Sequence, residues 1–456
     1  MAPNFVLCDR DQELLLPPSL REWLPQDHLA WFVLDAVEEM DLSAFLGAYR
    51  EDGWGRAAFD PQMMVALLLY SYAVGERSSR GIERRCREDV AFRVITANQI
   101  PDHATIARFR VRHEQALADT FVQVLRLCAK AGLVSVGVVA LDGSLLSGNA
   151  SPQATRSYAS IREEVERILA EAARADAAED ECLGEARGDE LPAELVDTRS
   201  RRERLRRCKQ QLEQEQADEQ AAYEENLAWR AVWEAEHGRK LGGRKPTPPD
   251  ADALAARRIN TTDPDTRLMK RAGGRSVQGY NAQVVASPEQ IIIAAQVTQS
   301  HNDSGQLAPM VESATGTLRE VGIQEPIGIV LADGGYWNSA AVSEVREQNI
   351  DVLIPTRDRR RTRPRKLAPR QGEEARRIEA VLSTPEGQSL YRRRQQIVEP
   401  VFAHTKCIRR TDRFLRRGLA SCQAEWQLIV ATHNLLKLWR AGLAQARNGD
   451  PEPQAG

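Results

Sequence analysis

The stretch that decides the fold spans residues 134–143 and reads Val-Ser-Val-Gly-Val-Val-Ala-Leu-Asp-Gly. Its β-branched and apolar residues predict a buried strand that ends at Asp142. A second apolar run, residues 327–332, ends in the same way at Asp333. A single Asp-Gly pair after a strand is usually only a turn. Two strands that both end on an acid, however, predict a site where carboxylates meet.

Short apolar strands alternate with helices in the second half of the chain. The pattern predicts strands over 280–286, 291–297, 327–332 and 351–355, with helices over 304–320 and 338–348. This order predicts an α/β fold in which a mixed sheet is flanked by helices. Residues before 134 predict an all-helical N-terminal domain. Residues 155–240 predict a helical hairpin inserted after the first strand, with two apolar stripes separated by a break over 184–192: Ile161, Val165, Ile168, Leu169 and Ala172, then Leu205, Cys208 and Leu212.

A metal site made of carboxylates is predicted at the ends of the two acid-terminated strands. If these strands are parallel neighbours, Asp142 and Asp333 lie side by side, where two carboxylates repel unless a cation lies between them. Glu399 follows the last strand on a predicted helix that can lie against the sheet. Three arginines, residues 392–394, precede Glu399, and a Glu beside several arginines ordinarily forms a surface ion pair. Its place on a helix after the last strand nevertheless makes Glu399 a candidate third ligand. Three carboxylates without histidines suit Mg²⁺, and two such ions can support phosphoryl transfer.

The net charge hides a strong asymmetry along the chain. With 62 Lys+Arg and 65 Asp+Glu, the total of −3 argues against a basic nucleic-acid binder. Residues 163–197, however, carry thirteen acids and three arginines, whereas residues 357–417 carry nineteen Lys+Arg and seven acids. The basic segment is typical of a phosphate-binding surface. Its arginine-rich part, which includes Arg359 and Arg360, predicts a loop that follows DNA, with a basic linker as the alternative.

Residues 101–112 have the layout of a DNA-recognition helix. Apolar Ile106 and Phe109 are expected to pack inward, so that Arg108, Arg110 and Arg112 project outward. The alternative is a surface helix with a solvated charged face.

Other classes of site and protein are excluded by what the sequence lacks. The seven cysteines have no Cys-x-x-Cys spacing and the seven histidines no i, i+4 pair, so neither a zinc site nor a disulfide framework is indicated. The longest apolar run, residues 64–74, is too short to span a bilayer. Charged residues 9–11 interrupt any signal-peptide core. These features predict a cytoplasmic protein with no membrane partner.

Several segments together resemble the DDE transposases of bacterial insertion sequences, in the branch with a Tyr-Arg-Glu-Lys signature. The first acid lies in Leu-Asp-Gly-Ser (141–144) and the second in Leu-Ala-Asp-Gly-Gly-Tyr-Trp (331–337). The third lies in Tyr391…Arg394…Glu399…Lys406. The remaining similar segments are 60–61, 101–106, 263–267 and 279–281.

The resemblance implies an RNase H-like catalytic domain and a cut-and-paste DNA reaction. Cleavage at the element's end would free a 3′-hydroxyl that attacks target DNA, with two Mg²⁺ ions as cofactors and Mn²⁺ as a substitute. The metal ligands would be Asp142, Asp333 and Glu399. The residues implied to contact transposon-end DNA are Tyr391, Arg394 and Lys406. The Arg-to-Glu spacing is one residue longer than in the family, so Arg393 or Arg392 are alternatives to Arg394.

The expected organisation follows from the resemblance and the pattern together. A helical DNA-binding and dimerisation domain would span 1–133, and the catalytic domain 134–154 and 263–440. The hairpin insert and connector would span 155–262, followed by a flexible tail over 441–456. The expected partners are double-stranded DNA, both terminal inverted repeats and target, and a second copy of the chain in the DNA complex, in the bacterial cytoplasm at the nucleoid. The alternatives are a non-catalytic, domesticated or decayed DNA-binding protein and an RNase H-like nuclease without strand transfer.

Overall fold

The computed structural model describes residues 19–49, 57–183, 193–242, 245–250, 253–270, 276–356 and 371–449. The strands are β1 (Val138–Ser147), β2 (Thr155–Ser157), β3 (Arg258–Asn260), β4 (Arg267–Lys270), β5 (Ser276–Ala286), β6 (Ile292–Thr298), β7 (Ile329–Leu331) and β8 (Asp351–Leu353). The helices before the insert are α1 (Leu29–Glu38), α2 (Ser43–Leu46), α3 (Pro61–Ala73), α4 (Ser79–Glu88), α5 (Val90–Ile95), α6 (His103–Arg112) and α7 (Glu114–Lys130). The later helices are α8 (Tyr158–Leu183), α9 (Ala193–His237), α10 (Ala253–Ala256), α11 (Leu307–Glu320), α12 (Ser339–Glu347), α13 (Gln371–Ser383), α14 (Pro385–Phe402) and α15 (Leu419–Gly449), with a π-helix over Ala403–Ile408 between the last two.

The central feature is a mixed six-stranded sheet, as the alternation of strands and helices predicts. The strand order is β4-β5-β1-β7-β8, and β6 pairs with β5. β5 runs antiparallel to β1, β4 and β6, whereas β1, β7 and β8 run parallel. The prediction that the two acid-bearing strands are parallel neighbours is therefore confirmed, with Ala140 opposite Leu331.

The prediction that the first strand ends at Asp142 is wrong. β1 continues to Ser147 because the long strand β5 extends the antiparallel ladder past the end of β7, with Asp142 opposite Val284. The local Asp-Gly signal is overridden by this tertiary pairing. Asp142 still lies two residues beyond Ala140, as Asp333 lies two residues beyond Leu331, so the two acids emerge at the same height of the sheet.

One hydrophobic core joins the N-terminal helices to the sheet. α3 begins at the N-cap Asp60 and is buried on nearly every face. α15 packs against α7 and α3 on one side and against β6 on the other. Buried residues of the N-terminal helices, the sheet, α11–α14 and α15 accordingly belong to a single cluster. The helical N-terminal region is therefore packed directly on the layer that carries the sheet.

The insert leaves and rejoins the sheet through a two-stranded antiparallel ribbon. β2 pairs with β3, and α8 packs against α9 above this ribbon. The predicted break over 184–192 lies outside the described residues. The insert has its own small core, and the residues at its centre are Ile161, Val165, Ile168, Leu205, Cys208 and Leu212.

No helix within the described part of the chain is both long enough and apolar enough to span a membrane.

Candidate active site

The first predicted acid, Asp142, lies in an ion pair. Nη1 of Arg394, on α14, donates to Oδ2 of Asp142 at 3.1 Å, and the two side chains are 13% and 21% exposed. Burial raises the pKa of Asp142 to about 6, although Arg394 opposes this rise. The negative charges of Asp333 and Asp303 add to it. Asp142 is therefore a carboxylate that needs a positive group beside it to stay ionised near neutral pH.

The second predicted acid, Asp333, lies two residues after the end of β7 and caps a short 3₁₀ turn. Its Oδ1 accepts a hydrogen bond from the backbone N–H of Gly335 at 2.7 Å. A side chain at Gly335 would place its Cβ 2.9 Å from that oxygen, closer than real Cβ atoms approach. The Gly-Gly that follows Asp333 thus allows the turn to hold the carboxylate at the sheet edge.

The third predicted acid, Glu399, is exposed on α14. Its helix packs on β1 through the buried residues Ile397, Val398 and Val401, as the apolar stripe predicts. Burial by itself lowers the pKa of Arg394. The pKa is nevertheless raised overall, because nearby negative charges stabilise the guanidinium: Asp142, Tyr391, Asp333 and Glu399. All three predicted acids therefore act on one cationic group.

Arg394 contacts Asp142, whereas Asp333 and Glu399 act on its guanidinium only through their charges. Within the described residues, no three acidic, histidine or cysteine side chains lie close enough to share one metal ion. The three acids nevertheless offer only oxygen donors, and together they stabilise a positive charge, that of Arg394. These residues fit a hard divalent cation such as Mg²⁺, provided that Arg394 releases Asp142.

The remaining signature residues lie beside this group on α14 and the π-helix. Nζ of Lys406 donates to Oγ of Ser144 on β1 at 2.7 Å. Tyr391 is partly buried, whereas Arg392 and Arg393 are exposed. A π-helix often marks a functional segment, and here it carries Lys406 to the same strand as Asp142. Of the three neighbouring arginines, Arg394 is the one that contacts the first acid.

The sequence pattern misses a fourth acid at this site, Asp303, in the loop between β6 and α11. Nδ2 of Asn281 and Nε2 of Gln283, both on β5, each donate to Oδ1 of Asp303 at 2.8 Å. Both amides are buried, in the C-terminal half of β5, where the other residues from Ala282 to Ala286 are apolar. Two polar side chains at alternating positions of this apolar run are the signal that could have pointed to this group.

The predicted recognition helix is only partly as expected. On α6, Ile106 and Phe109 are buried and Arg108 is exposed. Arg110 does not project outward: its guanidinium donates to the backbone oxygen of Arg77 at 2.8 Å and to the hydroxyl groups of Tyr72 and Ser79. The prediction of an outward Arg110 is wrong, because hydrogen bonds to neighbouring helices hold it in the fold. The predicted loop residues Arg359 and Arg360 lie outside the described residues.

Comparison with known families gives two matches. Residues 18–112 match the family described as Transposase domain (DUF772), and residues 253–435 match the family described as Transposase DDE domain. No curated protein and no solved structure matches the chain. Asp333 and Glu399 lie within the second match, whereas Asp142 lies between the two. The assignment of Asp142 therefore depends on the register of β1 against β7.

Proposed function

The chain belongs to the DDE transposases of insertion sequences, and from this premise we propose that it cleaves DNA at the ends of its element and joins them to target DNA. It is a DNA transposase and therefore an enzyme that acts on DNA. The observation that supports the detailed reaction most strongly is the parallel register of β1 and β7, which puts Asp142 and Asp333 at the same height of the sheet, beside the α14 helix whose Arg394 pairs with Asp142.

In this proposal Asp142, Asp333 and Glu399 are the metal ligands, for two Mg²⁺ ions with Mn²⁺ as a substitute. When bound, the ions would activate the attacking water or 3′-hydroxyl and stabilise the leaving oxygen. Burial makes the charged form of Asp142 costly without a cation. Arg394 meets this need in the protein without DNA, and we infer that it leaves Asp142 for a DNA phosphate when the element's end binds. Release of Asp142 then couples DNA binding to assembly of the site.

The DNA end is assigned to the side of the site formed by α14 and the π-helix. Arg394, Lys406, Tyr391 and Arg393 lie on these two consecutive elements, next to the acids. Arginine and lysine are the usual partners of phosphates. Exposed Arg108, and the arginine-rich segment with Arg359 and Arg360, are proposed to extend this contact along the duplex.

The wider organisation is also a proposal. Three parallel strands flanked by antiparallel ones, with the acids on β1 and after β7, support an RNase H-like catalytic domain over 134–154 and 263–440. The other divisions are 1–133 for DNA binding and dimerisation, 155–262 for the insert and connector, and 441–456 for the tail, whose first part continues α15 to Gly449. The DNA complex is proposed to contain a homodimer, and the site of action to be the bacterial nucleoid.

The test is a cleavage and joining assay with the purified full chain. The substrate is a duplex that carries the terminal repeat found beside the gene, incubated with Mg²⁺ and a target plasmid. Specific nicking at the 3′ end and a joined product are expected. Both should disappear in Asp142→Asn, Asp333→Asn and Glu399→Gln. Asp351→Asn, which removes a carboxylate that is 71% exposed at the start of β8, is the matched control and should retain activity.

The outcomes separate the three candidate functions. Specific binding with no cleavage by the wild-type chain would identify a non-catalytic DNA-binding protein. Cleavage without a joined product would identify a nuclease. Cleavage that survives all three acid substitutions would refute the assignment of the site.

A further inference from the structure

Asp303 is held at the active site by a dedicated set of buried polar groups. Its Oδ1 accepts hydrogen bonds from the side-chain amides of Asn281 and Gln283, each at 2.8 Å. Those amides are 2% and 0% exposed. Burying two amides in the middle of a sheet is costly unless both are hydrogen-bonded. A loop at the surface does not need two buried amides to hold it in place. The two amides therefore point to a role for the carboxylate of Asp303 itself.

Hydrogen bonds at both the oxygen and the nitrogen of its side-chain amide fix the orientation of Gln283. Its Oε1 accepts a hydrogen bond from the buried hydroxyl of Tyr336, and its Nε2 donates to Asp303. Tyr336 closes the 3₁₀ turn that Asp333 caps. One amide therefore connects the turn of Asp333 to Asp303, so that the two carboxylates are positioned by the same side chain.

Two glycines leave the space that this arrangement needs. A Cβ at Gly143, next to Asp142, would overlap the amide of Gln283 and lie 2.9 Å from Oδ1 of Asn281. On the other side, Oδ2 of Asp303 lies 3.6 Å from the Cβ position of Gly335. Since both amides occupy Oδ1, Oδ2 is the oxygen that faces the turn of Asp333. Because neither glycine has a side chain, the space between β1, the loop of Asp303 and the turn of Asp333 remains open to the carboxylate of Asp303.

We propose that Asp303 is a fourth carboxylate of the catalytic centre, which offers Oδ2 to the divalent cation while Asn281 and Gln283 hold Oδ1. This inference rests on the proposed metal-dependent function and extends its ligand set beyond Asp142, Asp333 and Glu399. An additional oxygen donor suits a hard cation, which takes six or more ligands. It also places negative charge beside β5.

The test measures Mn²⁺ binding directly, from the electron paramagnetic resonance signal of the free ion. The full chain is titrated with Mn²⁺ in the presence of the duplex from the element's end. Asp303→Asn keeps the shape of the side chain and an acceptor for the two amides, so the fold should be preserved, and thermal unfolding checks this. The variant is expected to weaken Mn²⁺ binding by about 10- to 100-fold. Glu312→Gln, the same charge change at an exposed position of α11, should leave binding unchanged.

Asp142→Asn serves as the reference that separates this inference from the proposed function. If Asp142→Asn weakens Mn²⁺ binding but Asp303→Asn binds as tightly as the wild-type chain, Asp303 is not a ligand and the proposed function stands. If neither substitution changes binding, or the wild-type chain binds no Mn²⁺, the proposed metal site itself is refuted. Weakening by both substitutions, with Glu312→Gln unaffected, supports the fourth carboxylate.

Discussion

Replacing Glu425 by Ala should destabilise the protein strongly, because this carboxylate joins the N-terminal helices to the segment after the π-helix. Its side chain is fully buried on α15 and pairs with Nη1 of Arg77 at 2.9 Å. Its Oε2 also accepts hydrogen bonds from the backbone N–H groups of Leu415 and Arg416, at 2.9 and 3.0 Å. Three donors from two parts of the chain thus depend on one side chain.

The magnitude follows from what the substitution leaves behind. Arg77 is only 8% exposed, so Glu425→Ala leaves a buried positive charge with only the backbone oxygens of Arg413 and Arg410 as acceptors, a loss of about 3–5 kcal/mol. Two backbone N–H groups also lose their acceptor. Since a typical domain is stable by only about 5–15 kcal/mol, the variant should unfold at much lower urea. Glu425→Gln keeps an acceptor and the volume, so we expect it to lose less than the Ala variant.

Urea unfolding, followed by circular dichroism, measures the effect. The matched control is Glu88→Ala, which breaks an exposed pair with Arg84, at 3.9 Å between side chains that are 68% and 67% exposed. That pair should contribute less than about 1 kcal/mol. A Glu425→Ala variant as stable as the Glu88→Ala control would refute the reasoning, because it would mean that the backbone oxygens of Arg413 and Arg410 suffice to hold the charge of Arg77.

Three further predictions concern the catalytic centre. Burial raises the pKa of Asp142 from 3.8 to about 6, so without metal the free energy of unfolding of the wild-type chain should fall by about 3 kcal/mol, relative to that of Asp142→Asn, as the pH rises from about 3 to about 8. This difference should develop between pH 3.8 and pH 6 and be absent below 3.8, where the carboxyl is protonated in both states. Urea titrations across this range check it, and the same pH dependence in both chains would contradict it. Gly143→Ala should lower the free energy of unfolding by about 1–3 kcal/mol and abolish DNA cleavage, since its Cβ would lie 2.8 Å from Cδ of Gln283. Gly137→Ala, with open space at its Cβ, is the control and should be tolerated. Equal thermal unfolding of the two variants would argue against the overlap at Gly143. Lys406→Met should weaken DNA binding and reduce its dependence on salt by about one phosphate contact, and an unchanged salt slope would show that Lys406 does not bind phosphate.

Much of the sheet and part of the site could be predicted because their signals are local. Apolar runs that end near Asp142 and Asp333 indicate strands, and strands with intervening helices indicate a mixed sheet. The end of β1 could not be predicted in this way. Whether a strand continues past an Asp-Gly pair depends on its partner, and β5 lies more than a hundred residues away in the chain.

Asp303 and Arg110 show the same limit for single side chains. The loop that carries Asp303 has no periodic pattern, and the amides that hold it come from β5. Arg110 has the spacing of an outward residue on α6, but acceptors on neighbouring helices hold it in place. Helical periodicity predicts which direction a side chain points, whereas its hydrogen-bond partners are set by elements that are distant in sequence.

The sequence by itself determined five of the strands, the helical N-terminal region and the acids Asp142, Asp333 and Glu399 as candidate ligands, because residue type and period are local properties. Only the tertiary structure decided which arginine contacts Asp142, and that the buried amides of β5 hold Asp303. The physical reason is that electrostatic interactions in a buried site depend on distance and burial. Both are set when β1 lies between β5 and β7 and α14 packs across it.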